Sequence, residues 1–129
     1  FFDPDTIHYE LTQPLHSDKS TVDVTLITFW EKIVITPDGA KEFAKTMNDQ
    51  RYRNAAYAKN LETISLRHKA SLTRETIFYD KNGSIIYIDS GSGSFWPIIP
   101  GSYAEDMFLA VHNYARTHHA QLIRNAYSN

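Results

Sequence analysis

The stretch Ile77-Phe78-Tyr79-Asp80-Lys81-Asn82-Gly83-Ser84-Ile85-Ile86 decides the fold class. Two runs rich in β-branched and aromatic residues flank Asn82-Gly83, and Asn-Gly between such runs is the strongest short-range sign of a β-hairpin. The pattern predicts a tight turn over Tyr79–Ser84 with positive φ at Gly83, and a return strand over Ile85–Asp89.

Working toward the N-terminus, Leu72–Tyr79 and Leu61–His68 are strand candidates, the former with exposed charge at Arg74 and Glu75. Before them, Thr36-Pro37 offers an N-cap followed by proline at the first helical position. Ala40, Phe43, Ala44 and Met47 keep the spacing of a one-faced helix that ends near Asn48–Asp49. Thr21–Glu31 alternates at first, then turns apolar on both sides at Ile27, Phe29 and Trp30, as expected of a strand running into a covered region. Asp3-Pro4-Asp5 is a turn, Thr6–Leu11 a strand, and Thr12–Ser20, with Pro14 and the polar run Ser17–Lys19, its exit loop.

Toward the C-terminus, Gly91-Ser92-Gly93-Ser94 is a flexible connector. It lacks the Gly-Lys-Ser/Thr ending of a phosphate loop. Phe95–Gly101, apolar and broken by Pro97 and Pro100, is expected to cross the core as an extended segment. Ser102-Tyr103-Ala104-Glu105 is a capping box. The long helix behind it places Ala104, Phe108, Val111, Ala115 and Leu122 on one stripe, with Met107 and Tyr114 beside it. The expectation is an α+β fold over residues 1–129, a single domain. Its antiparallel sheet is packed by a short inserted helix and a long C-terminal helix.

Composition narrows the function. The chain has 129 residues, 42% of them hydrophobic, with 13 Lys and Arg against 15 Asp and Glu for a net charge of −2. That balance, with no long basic run, argues against nucleic-acid binding. No apolar run reaches the ~18 residues of a membrane-spanning helix. The chain has no cysteine, which removes thiol catalysis, Cys-type zinc sites and disulfides together. It opens on the apolar pair Phe1-Phe2 rather than on Met, and reads as a mature or trimmed chain.

The chemistry-bearing side chains form no recognisable constellation. His112 and His119 lie about two helical turns apart, too far to share one ion, and His118 adds no zinc-binding pattern. His8, His16 and His68 are scattered. The carboxylates Asp3, Asp5, Asp23, Glu75, Asp80 and Asp89 have no spacing that forces a catalytic pair. No Gly-x-Ser-x-Gly elbow is present. No metal, cofactor or catalytic residue is therefore expected. Arg51-Tyr52-Arg53 with Lys59 reads as a solvated loop. Trp30, Phe95, Trp96 and Tyr103 have two readings: core that covers the sheet where it meets the helices, or the lining of a groove or protein-binding patch. As the second, they are the candidate interface residues.

The order of motifs carries a resemblance. Phe2-Asp3-Pro4-Asp5-Thr6-Ile7 is followed by a strand ending in Phe29-Trp30, then by Thr36-Pro37-Asp38-Gly39 opening a short helix. The Tyr79-Asp80-Lys81-Asn82-Gly83 hairpin comes next, and then Trp96-Pro97-Ile98-Ile99-Pro100-Gly101-Ser102 leading to Glu105. From Phe2 to about Ala115 this series resembles the surface-adhesin protein E-like family of small exported bacterial domains. The resemblance implies a sheet of about five or six strands, an extracytoplasmic address, either secreted or at the cell surface, and partners among host or envelope proteins. It implies no enzyme activity and no cofactor. The family often carries cysteines, which this chain lacks, and a strand upstream of the Asp-Pro turn. Without that upstream strand, Thr6–Leu11 is expected to be a sheet edge open to homodimer pairing. The alternative is a small-ligand-binding domain in which the sheet and last helix enclose a pocket. A cleft with converging polar groups would favour it; an exposed aromatic patch would favour a binding module of the adhesin kind.

Overall fold

A computed structural model describes residues 2–13, 15 and 19–128 of the chain. Phe1, Pro14, His16, Ser17, Asp18 and Asn129, and with them part of the expected exit loop, lie outside the described residues. The elements are β1 (His8–Thr12), β2 (Thr21–Val34), α1 (Pro37–Met47), a 3-10 turn (Gln50–Asn54), β3 (Tyr57–Ser65), β4 (Ala70–Tyr79), β5 (Ile85–Ser90), β6 (Trp96–Pro97), α2 (Tyr103–Thr117) and α3 (His119–Ser128). The first five strands lie side by side in chain order as an antiparallel meander, and β6 makes the sheet six-stranded by pairing with β4. The fold is α+β.

The central hairpin forms where the sequence places it. Gly83 has φ +83°, and Asp80 accepts the backbone N–H groups of Asn82 and Ser84, each at 2.9 Å. The Thr36 hydroxyl caps α1 by accepting from Gly39 N at 3.0 Å, and Asn48 closes the helix in the left-handed region. Ala40 and Ala44 are buried on its inner face, whereas Phe43 and Met47 stay partly exposed.

Strand pairing puts alternate residues on one face. Tyr9, Ile27, Phe29 and Ile64 meet Met107, Phe108 and Val111 of α2 and Leu122 and Ala126 of α3 in the larger core. Farther along the same face, Ala58 and Phe78 meet Ala40, Ala44 and Tyr52 in a second, smaller core. Both helical covers therefore sit on one face of the sheet. The opposite face has no helix on it among the described residues.

Three expectations need correction. The C-terminal helix is two helices with a break at His118. Thr117 Oγ1 bonds back to the carbonyls of Asn113 and Tyr114 at 3.3 and 3.1 Å, and His118 Nδ1 lies 3.0 Å from the Tyr114 carbonyl. Such local bonds bend a helix. Here the bend turns α3 over β1, burying Leu122, while Ala104, expected on the inward stripe, is exposed. Second, Phe95–Gly101 does not cross the core. Only Ile98 is buried, and Phe95, Trp96 and Ile99 face outward because two prolines hold the segment along the end of β4. Third, Gly91 is no flexible connector. Its N–H bonds the Arg74 carbonyl at 3.0 Å, and a Cβ there would lie 1.6 Å from the Thr73 carbonyl oxygen.

The capping box is made with a shift of one residue. Ser102 Oγ accepts from Glu105 N at 3.2 Å, but Glu105 reaches back to Gly101 N at 3.1 Å and to Lys69 Nζ at 2.7 Å. β1 is an edge strand, as expected, and α3 partly covers it. Asn125 Nδ2 donates to the carbonyls of Asp5 and Ile7 at 3.1 and 2.9 Å, and Gln121 Nε2 to that of Pro4 at 2.7 Å. Among the described residues, no helix is long and apolar enough to cross a membrane.

Candidate functional site

Between the two cores, the helix-covered face of the sheet carries polar side chains. In register, Phe29 lies opposite Glu62, Glu31 opposite Asn60, Asn60 opposite Thr76, and Glu62 opposite Thr73. Strand alternation explains the placement. Ile27, Phe29, Glu31 and Ile33 share a face on β2, and Ala58, Asn60, Glu62 and Ile64 share it on β3. The sequence therefore interrupts two apolar alternations with polar residues at adjoining positions.

These side chains bond to one another. Thr76 Oγ1 donates to Asn60 Oδ1 at 2.8 Å, and Asn60 Nδ2 donates to Glu31 Oε1 at 3.3 Å. Thr73 Oγ1 donates to Glu62 Oε1 at 2.7 Å. The other carboxyl oxygen of each Glu makes no hydrogen bond among the described residues. A cavity of about 220 Å³ opens beside Glu31 and Glu62, walled by Tyr103, Met107 and Phe108. A second, of about 420 Å³, opens beside Asn60 and Thr76, walled by Phe43, Ala58 and Phe78. The Asn60–Glu31 bond lies between the two cavities, and the polar row with the cavities on either side is the candidate groove.

Burial sets the electrostatics. Partial burial and the neighbouring Glu31 charge push the Glu62 carboxyl up to about 7, against the opposing bond from Thr73. Burial also raises Glu31, and its bond from Asn60 offsets part of that. Neither carboxyl has a cationic side chain within salt-bridge distance among the described residues. Lys32, next to Glu31 in sequence, projects to the other face.

The four aromatic candidates are not brought together. Tyr103 stands at the groove rim, where burial and then the Glu31 charge raise its phenol. Trp96, 65% exposed, pairs opposite Ser71, another residue of the smaller cavity's lining, and Phe95 is exposed beside it. Trp30 is half-buried on the uncovered face opposite Leu61, so neither tryptophan covers the junction of sheet and helices.

The groove residues Glu31, Asn60, Glu62, Thr73 and Thr76 are absent from the carboxylates and aromatics that the sequence singles out. The signal that could have found them is a polar residue at an inward position of an alternating strand. Of the carboxylates that the sequence singles out, two serve turns, Asp3 by accepting from Asp5 N at 2.8 Å and Asp80 by closing the hairpin. The histidines near the C-terminus have local partners: His118 stacks on Tyr114 at 3.9 Å, and His119 Nδ1 lies 2.7 Å from the Tyr9 hydroxyl. No protein-family model, curated protein or solved structure matches the chain.

Proposed function

We propose that the protein is a non-enzymatic, extracytoplasmic binding module whose groove takes a small amine-bearing molecule with an apolar body. The observation that carries the proposal is the polar row Glu31–Asn60–Thr76 with Glu62–Thr73, set between two apolar cavities on the face the helices cover. An ammonium group would donate to the free oxygens of Glu31 and Glu62, a charge-assisted arrangement stronger than neutral hydrogen bonding. The apolar body would occupy the larger cavity, against Phe43 and Phe78. Binding rather than turnover suits the row because it gathers acceptors and hydroxyls with no cationic side chain in salt-bridge distance, among the described residues, to stabilise a developing negative charge. The extracytoplasmic address rests on the family resemblance.

Calorimetry with phenethylamine and with 2-phenylethanol, which has a similar body without the charge, tests the proposal. Saturable amine binding is expected, about tenfold or more tighter than binding of the alcohol. Glu62→Gln is expected to remove most of that difference. Equal affinity for both compounds, or no saturation, would overturn it.

One further observation favours a second reading. Phe95, Trp96, Ile99 and Tyr103 are 44%, 65%, 70% and 58% exposed within one short segment, and such patches mark protein contacts. A host or envelope protein docked there would fit the adhesin-like role that the resemblance implies. Binding to immobilised matrix and plasma proteins that Trp96→Ala abolishes and Glu62→Gln leaves intact would favour this reading over the groove.

A further inference from the structure

On the uncovered face, the registers run Trp30 opposite Leu61, Lys32 opposite Lys59, and Tyr57 opposite Tyr79. Two lysines directly opposite one another on neighbouring strands repel, and such pairs destabilise a sheet unless something compensates them. Here each ammonium lies over a tyrosine ring, Lys32 Nζ 4.5 Å from the Tyr57 centroid and Lys59 Nζ 5.6 Å from that of Tyr79. The two rings stack with centroids 4.8 Å apart. Neither lysine makes an ion pair among the described residues. The other basic groups of this face are engaged: Arg74 bonds Glu10 and Thr63, each at 2.7 Å, and His8 lies 3.3 Å from Glu10.

The lysines border a cavity of about 510 Å³ with Trp30, Ile77 and Tyr79 in its lining and the Asp3-Pro4 turn at its side. Asp3 is the acid of that turn, and its oxygens accept from Asp5 N and Thr6 Oγ1 within the turn itself. The cavity thus combines apolar and aromatic surface with two cations that make no ion pair among the described residues; Glu31 also lines it, but its carboxyl bonds Asn60 on the covered face. Its volume falls in the ~300–1,000 Å³ range of small-molecule sites.

We infer that this cavity is a second binding site, for a small aromatic carboxylate whose ring lies against Trp30 and whose anionic group sits between Lys32 and Lys59. The anion offsets the repulsion of the opposed lysines, and the ring covers apolar surface that the sheet leaves open. The site lies on the face opposite the acidic groove, with Glu31 of β2 bordering both.

The test uses a Trp96→Phe chain, in which Trp30 is the remaining tryptophan, titrated with 4-nitrobenzoate and, separately, with uncharged 4-nitrobenzyl alcohol. Saturable quenching of Trp30 fluorescence by the carboxylate is expected, about tenfold tighter than by the alcohol. In Lys32→Gln/Lys59→Gln on the same background the carboxylate should lose about that factor, while phenethylamine binding to the groove is unchanged. Quenching of equal strength by the alcohol, quenching that does not saturate, or undiminished carboxylate affinity in the double variant would overturn the site. If the double variant does not fold, the comparison of carboxylate with alcohol on the Trp96→Phe chain still decides.

Discussion

Neighbouring residues of β2 send opposite charges to the two faces of the sheet. Glu31 and Lys32 are adjacent in β2, yet strand alternation sends the carboxylate under the helices and the ammonium to the open face, where they cannot pair. On the covered face partial burial makes ionisation expensive, and Glu62 is pushed up to about 7. On the open face Lys32 and Lys59 rest over tyrosine rings and make no ion pair among the described residues. One sheet thereby presents an acceptor-rich groove on one side and a cation-rich pocket on the other. The chain's near-neutral balance hides both.

The pair Phe29 and Trp30 sharpens that contrast most. Phe29 is 1% exposed beneath the helices and Trp30 half-buried on the bare face. Phe29→Ala should cost about 3–5 kcal/mol in urea denaturation, and Trp30→Ala roughly 1–2 kcal/mol despite the larger side chain. Equal losses would mean that the open face is covered in solution.

Gly91 tests the strand junction that serves both faces. Between the pairs Leu61–Glu75 and Glu62–Thr73, Arg74 is the extra residue of a β-bulge. The bulge lets Thr73 meet Glu62 in the groove while Arg74 reaches Glu10 on the open face. A methyl at residue 91 would collide with the Thr73 carbonyl. Gly91→Ala is therefore expected to destabilise by roughly 3 kcal/mol and to weaken phenethylamine binding as well, which unchanged denaturation would refute.

These comparisons also mark where sequence reading succeeded. The hairpin at Gly83, the Thr36 cap and the Ser102 cap are local features, fixed by residues within a few positions, and the structure has all three. The break at His118 depends on Thr117 bonding back to its own helix, which periodicity does not register. The groove depends on register between strands: Glu31 and Asn60 are 29 residues apart and meet only because β2 and β3 pair as they do. Trp30 was readable as an aromatic at a possible site, but its face and its lysine neighbours were not.

Stability should change with pH through Glu62. Its folded carboxyl titrates near 7 against an ordinary value of 4.5, so the native state keeps a proton that the unfolded chain has released. Stability therefore falls as pH rises across that window, and the full penalty is present above it. Glu62→Gln should raise the melting temperature at pH 8, by an amount equivalent to about 2 kcal/mol after allowance for solvent screening, and leave it nearly unchanged at pH 4. An equal effect at both pH values would remove the titration from the explanation.

The smallest effect is expected on the open face. Lys32→Gln removes a like-charge opposition and a contact with the Tyr57 ring, so denaturation should shift by no more than about 0.5 kcal/mol. A larger loss would mean that Lys32 has a structural partner.

The most direct test of the central claim is to follow the Glu62 carboxyl by carbon NMR while titrating pH, with and without saturating phenethylamine. The groove requires a midpoint near 7 in the free protein and a fall of about one unit or more when the ammonium binds. A midpoint in the ordinary range of 4 to 5 in the free protein, or one that the amine does not move, would contradict it.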